Sequence, residues 1–139
     1  MTATAGTLLP GHSELVVRID LATRRALGEL LDELGPSPLL DPLVAIAFKT
    51  LDGGKRLRGL LCLVGASLAS GEDLSTPSTD LPDRLAAALE LYQASALSHD
   101  DLIDHSPTRR GNPTPHVALA ETHRAQGWQG SAQDFGRAG

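Results

Sequence analysis

The chain has 139 residues, a formal net charge of −5 and one cysteine, Cys62. That length holds one domain at most, the negative balance argues against nucleic acid as the main partner, and a lone cysteine excludes an intrachain disulfide and fits a reducing cytoplasm. Hydrophobic residues make up 41%, yet the aromatic ones are only Phe48, Tyr92, Trp128 and Phe135, so the core must be built from Leu, Ala and Val, which favours helix over sheet. The N-terminus lacks a basic region followed by an apolar one, so no signal peptide is visible. The longest apolar stretch, 59–69, is too short to span a bilayer. The expectation is an all-α, cytoplasmic chain without a transmembrane segment.

Residues 1–11 are small, polar and Gly/Pro-bearing and read as a disordered N-terminus. Ser13 can cap a first helix whose apolar positions Leu15, Ile19, Ala22, Ala26, Leu30 and Leu34 recur at helical spacing, until Gly35-Pro36 stops it. Asp41-Pro42 reads as an N-cap followed by proline at the first helical position, opening a second helix through Leu51. Asp52-Gly53-Gly54 breaks the chain again. A third helix begins with Lys55-Arg56-Leu57-Arg58 and runs to Gly71. Positive charge there opposes the helix dipole but suits an anion, because Gly53-Gly54 admits close approach while free N–H groups and basic side chains converge. An exposed basic turn would give the same pattern.

Residues 72–79 form a Ser/Thr/Pro loop. Asp80, with Asp83 three residues on, resembles a capping box, and from there a helix of about 24 residues, roughly 36 Å, runs to Asp104. Its apolar residues lie on nearly every side, which predicts a central helix. The segment 105–115 carries Pro107, Gly111, Pro113 and Pro115 and cannot be regular helix. A modest helix follows through Arg124 and ends at Gly127. Ser131 and Asp134 announce one more helix, stopping at Gly139 after barely two turns, too short to bury its apolar side. The sequence looks cut off there.

The chemistry concentrates at Asp100-Asp101-Leu102-Ile103-Asp104. Asp100 and Asp104 point within about 40° of each other on a helix, and two acids on one face repel. Hard oxygen donors suit Mg²⁺, which takes one or two carboxylates and binds substrate phosphates with its remaining positions. Arg109 and Arg110 add forked donors for the same phosphates. A solvated acidic helix end is the plain alternative, although acids at a C-terminus oppose the dipole. Gln93 shares the face of Asp100 and Asp104 to within about 20°; it needs partners there, and a neighbouring helix would serve as well as a ligand.

Three segments in order resemble the trans-polyprenyl (isoprenyl) diphosphate synthases: Gly53-Gly54-Lys55-Arg56-Leu57-Arg58; Glu90-Leu91-Tyr92-Gln93 through His99-Asp100-Asp101-Leu102-Ile103-Asp104; and Arg109-Arg110-Gly111-Asn112-Pro113-Thr114-Pro115-His116. Phe135-Gly136 resembles the start of the family's next helix. The resemblance implies the N-terminal part of a class I isoprenoid synthase helical bundle over residues 12–139, with a second aspartate-rich motif and the C-terminal half missing. It further implies a prenyltransferase that condenses isopentenyl diphosphate with an allylic diphosphate (geranyl or farnesyl), forms a homodimer when complete, and is inactive as this portion alone. Asp100, Asp101 and Asp104 would be catalytic, with Asp100 and Asp104 holding Mg²⁺ and Asp101 supporting. Lys55, Arg58 and Arg110 would hold isopentenyl diphosphate, Arg109 the allylic diphosphate, and Gln93 stands where many members have a histidine on isopentenyl diphosphate. Gly59 replaces the usual proline. Small residues at Ser95 and Ala96, with Tyr92 a turn further down, would imply a product of geranylgeranyl length or longer.

Two other functions compete. A non-catalytic partner subunit of a prenyl synthase would not need the three carboxylates that this chain keeps. An HD-type metal phosphohydrolase could use His99-Asp100, but it needs a histidine on an earlier helix, and the one candidate, His12, reads as part of the floppy N-terminal end.

Overall fold

The computed structural model describes residues 11–37, 40–74 and 79–138. The disordered segment expected at 1–11 therefore lies almost wholly outside the described residues, as does part of the 72–79 loop. Six helices account for most of what is described: α1 (His12–Leu34), α2 (Asp41–Thr50), α3 (Leu57–Ser70), α4 (Leu81–Ile103), α5 (Pro115–Ala125) and α6 (Ala132–Ala138). The all-α expectation holds, with one addition. Residues 105–115 contain a small antiparallel hairpin, β1 (Thr108–Arg109) and β2 (Asn112–Pro113), with Thr108 opposite Pro113 and Arg109 opposite Asn112. Its two-residue turn, Arg110-Gly111, has positive φ at both positions (53° and 79°), the primed geometry that matches the twist of a hairpin.

Helix starts differ from the sequence expectation in instructive ways. Ser13 lies inside α1, and Gly11, at φ 77°, turns the chain so that its carbonyl accepts the Leu15 N–H. Leu40, not Asp41, is the N-cap of α2, which puts proline in the first turn as expected. Asp83 does not complete a capping box, because its carboxylate accepts a 2.7 Å hydrogen bond from Arg18 Nε. Ser131 does cap α6: its Oγ accepts the Asp134 N–H at 3.2 Å.

The described residues form two compact units, the first from those up to 26 together with those of 54–90, the second from those of 27–53 together with those from 91 onward. In the first, Leu15 and Ile19 of α1, Leu60 and Leu63 of α3 and Ala86 of α4 make the buried cluster. Ile19 and Leu63 are almost wholly enclosed, and burial of each side chain stabilises the unit by about 1.5–3 kcal/mol. Gly59 lets α3 close onto α1, since a Cβ there would stand 2.8 Å from Ile19 Cγ2.

In the second unit, α5 packs against α2 and α6. The expectation that α6 is too short to bury its apolar side is corrected here. Gly136 is buried against α5, where a Cβ would run into the His116 carbonyl oxygen. The Phe135 ring lies 5.2 Å from both His123, tilted, and Trp128, edge-on. A small residue and a ring, not helix length, dock this segment. On α4, Leu81, Leu85, Tyr92 and Ile103 are all more than half exposed. Leu30 and Leu34, expected on the apolar face of α1, are exposed as well.

Candidate functional site

The last turn of α4 sorts its three carboxylates by direction. Asp101 follows Asp100 by about 100° of helical rotation, so the two cannot share a face. Asp101 points inward and is 2% exposed, whereas Asp100 and Asp104 face solvent. Its two oxygens accept 2.7 Å hydrogen bonds from Nε and Nη2 of Arg109. Arg109 Nη2 also lies 3.8 Å from Asp100 Oδ2. The hydrogen bonds to Asp101, reinforced by the fields of Asp101, Asp100 and Asp104, hold the Arg109 guanidinium above its already high ordinary pKa despite partial desolvation. Arg109 is thus a permanent cation fixed beside the acidic turn.

The hairpin that delivers Arg109 is closed at its base. Thr114 is buried, its hydroxyl donates to the Ser106 carbonyl at 2.8 Å, and its N–H donates to the Pro107 carbonyl at 3.1 Å. The Ser106 N–H in turn donates to the Asp101 carbonyl. At the tip, Arg110 reaches the Asp52-Gly53 turn: Nη1 donates to the Asp52 carbonyl at 3.3 Å and would lie 3.6 Å from a Cβ on Gly53. Gly53 has φ 73°, so glycine is the residue this turn requires. A cleft in this unit is lined by Lys49, Asp52, Ser98, Asp101, Arg109 and Arg110.

Among the sequence-predicted residues, the second unit therefore brings together Asp100, Asp101, Asp104, Arg109 and Arg110. Gln93 is half-buried two turns earlier on α4. Lys55 and Arg58 belong to the first unit, both exposed, on either side of the start of α3. The cations there do not all converge, as the sequence suggested. Arg56 turns inward and is 9% exposed, held by Asp20 at 2.5 Å and by Glu90 at 3.6 Å. Nor are all the N–H groups of that helix end free, since Glu90 Oε1 accepts the Gly59 N–H at 3.0 Å. Sequence reasoning missed the roles of Asp20 and Glu90. The available signal was a glutamate inside an apolar helix, a residue type seldom buried without a partner.

The donor chemistry fits Mg²⁺. Asp100 and Asp104 offer exposed, hard oxygen ligands one helical turn apart, as suits an ion that keeps waters and shares phosphate oxygens. Among the described residues no group of three or more His, Cys, Asp or Glu side chains is placed to hold a metal. Any ion here would use few protein ligands.

Residues 41–126 match the family model described as polyprenyl synthetase. The chain belongs to that family. Over 89 residues it is 39% identical to geranylgeranyl pyrophosphate synthase 9, chloroplastic, of Arabidopsis thaliana, an overlap covering 60% of this chain and 23% of that protein. It is 44% identical over 81 residues to a probable farnesyl diphosphate synthase of Sinorhizobium fredii, covering 57% of this chain and 23% of the relative. The chain thus spans less than a quarter of the length of these curated relatives. Its fold matches the crystal structure of geranylgeranyl pyrophosphate synthase from Corynebacterium glutamicum, complexed with isoprenyl diphosphate and magnesium, with a TM-score of 0.79 and 34% identity, over 94% of this chain and 37% of that one. This is the helical fold of an isoprenoid synthase. Membership of the polyprenyl synthetase family also displaces the HD-type alternative. No helix among the described residues is long and apolar enough to cross a membrane.

Proposed function

We propose that the chain is the N-terminal portion of a polyprenyl diphosphate synthase, a prenyltransferase of isoprenoid biosynthesis that joins isopentenyl diphosphate to an allylic diphosphate, geranyl or farnesyl. The observation that carries this reading is the division of labour at the end of α4. One carboxylate, Asp101, is spent on fixing Arg109, and two, Asp100 and Asp104, remain exposed one turn apart. A solvated helix end has no use for a fork built on a buried carboxylate, and a packing-only partner subunit has no use for the exposed pair. The names of the relatives, and the isoprenyl diphosphate and magnesium bound to the structural neighbour, support the same reading.

Asp100 and Asp104 hold Mg²⁺ in this proposal, and Asp101 orients Arg109. Bound Mg²⁺ supplies a Lewis acid that draws charge onto a diphosphate leaving group. Arg109, unable to lose its charge, stabilises the allylic diphosphate as its C–O bond breaks. Lys55, Arg58 and Arg110 bind the diphosphate of isopentenyl diphosphate, with Gln93 alongside. Loss of the allylic diphosphate leaves a carbocation, the double bond of isopentenyl diphosphate attacks it, and the departing diphosphate takes the proton released. The synthase works as a homodimer in the cytoplasm, and Ser95 and Ala96 leave room for a product of geranylgeranyl length or longer. The 139-residue chain alone, with one carboxylate cluster, does not turn over.

The test is Asp100→Ala in the synthase that carries this segment, assayed by extraction of apolar product. Loss of a metal ligand should lower kcat by about 10²–10³-fold or more. Near-normal turnover would overturn the reading.

A further inference from the structure

Arg56 is the N-cap of α3 and sits at φ 48°, ψ 35°, a left-handed conformation that bulky residues rarely adopt. It has no side-chain capping bond of its own to the helix. Instead its guanidinium turns into the unit and meets two carboxylates from two other helices, Asp20 of α1 and Glu90 of α4. Glu90 is 7% exposed, and while Oε2 faces Arg56, Oε1 accepts the Gly59 N–H, the third of the helix. A side chain from α4 thereby does what a capping residue does for α3. The Leu60 N–H closes on the Arg56 carbonyl at 2.9 Å.

The backbone from 56 to 60 is therefore held at both ends of its first turn. Lys55 and Arg58, on either side of the buried arginine, are exposed and make no ion pair among the described residues. A run of three cations within four residues would ordinarily splay by mutual repulsion. Sending the middle one inward separates the outer two and fixes the chain between them.

We infer that Glu90 and Asp20, acting through Arg56, are positioning residues that preset the loop bearing Lys55 and Arg58 for a diphosphate. This rests on the proposed reading that the chain binds isoprenoid diphosphates. Arg56 itself does not touch the ligand. Its worth is preorganisation, which shows as affinity lost when the loop must be ordered on binding.

The test is equilibrium dialysis of the 139-residue chain against radiolabelled inorganic diphosphate in EDTA, which removes any metal-held route. Wild type should bind, and Lys55→Ala with Arg58→Ala should abolish binding. Arg56→Gly relieves the left-handed backbone but deletes both ion pairs, and Glu90→Gln keeps an acceptor for Gly59 but loses the charge. Each should bind about tenfold more weakly, whereas Arg56→Lys, which keeps the cation, should recover most of the affinity. Thermal melting reports any loss of fold, and amide exchange at Gly59 should quicken in Glu90→Ala. Wild-type affinity in both Arg56→Gly and Glu90→Gln, with binding still dependent on Lys55 and Arg58, overturns the positioning role and leaves the proposed function standing. Diphosphate binding that ignores Lys55 and Arg58 overturns both.

Discussion

Arg109 and Asp101 form a two-pronged pair, Nε to Oδ2 and Nη2 to Oδ1, each 2.7 Å long, across a chain separation of eight residues. The pair ties the end of α4 to the hairpin that follows. Asp101→Asn keeps the shape but loses the charge. Because the arginine side chain is 38% exposed, the loss should be about 1–2 kcal/mol, less than for a fully enclosed pair. Urea denaturation measures it. Arg109→Lys should be no better tolerated, since an ammonium cannot make the parallel bonds.

Gly59 and Ile19 offer a steric test of the first unit. Gly59→Ala places a methyl 2.8 Å from Ile19 Cγ2 and 3.1 Å from Cδ1, and should cost about 1–3 kcal/mol. In an Ile19→Ala background the same change should cost clearly less, giving a measurable coupling in a double-mutant cycle.

Burial, and after it the negative charge of Asp83, raise the Cys62 thiol above its ordinary pKa. The folded thiol thus keeps its proton where the unfolded one has lost it. The resulting stability is complete below the unfolded pKa and is lost as pH rises above about 8.5. Cys62→Ser should flatten that alkaline decline in denaturation curves recorded across the range. Alkylation of Cys62 in the folded chain at pH 8 should also be slower than that of free cysteine. An alkaline slope unchanged in the serine variant would contradict the assignment.

Trp128 is the single tryptophan and lies edge-on to Phe135 and His123 at 5.2 and 5.9 Å. It therefore reports on the docking of α6. Gly136→Ala drives a methyl into the His116 carbonyl, which is backbone and cannot swing aside. The helix should lift away, seen as a red shift of tryptophan emission with little change in total helicity.

Much of this architecture was legible because it is written in local chemistry. Gly35-Pro36, Gly53-Gly54, Gly71 and Gly127 mark helix ends, and the spacing of Leu15 and Ile19 gives the buried face of α1. What escaped depends on partners distant in sequence. Asp83 looks like a helix cap until Arg18, 65 residues earlier, claims it. The Lys55, Arg56 and Arg58 cations read as one patch, whereas the part-exposed Asp20 and the buried Glu90 draw the middle one inward. The hairpin was hidden because its turn is Arg-Gly where Asn-Gly is the usual signal. At the candidate site, the sequence supplied the acids and the arginines. It could not show that Asp101 is the carboxylate turned inward, spending its charge on Arg109.

Arg110 carries a consequence for anyone evolving this scaffold in the laboratory. With φ at 53°, an arginine there sits about 1 kcal/mol above what glycine would need, and asparagine would also fit more easily. A selection for heat resistance alone should thus drift toward Asn or Gly at 110, discarding the guanidinium at the hairpin tip. Selection for turnover should pull the other way. Sequencing the survivors of two parallel screens would show at this one codon whether folding or chemistry is the master.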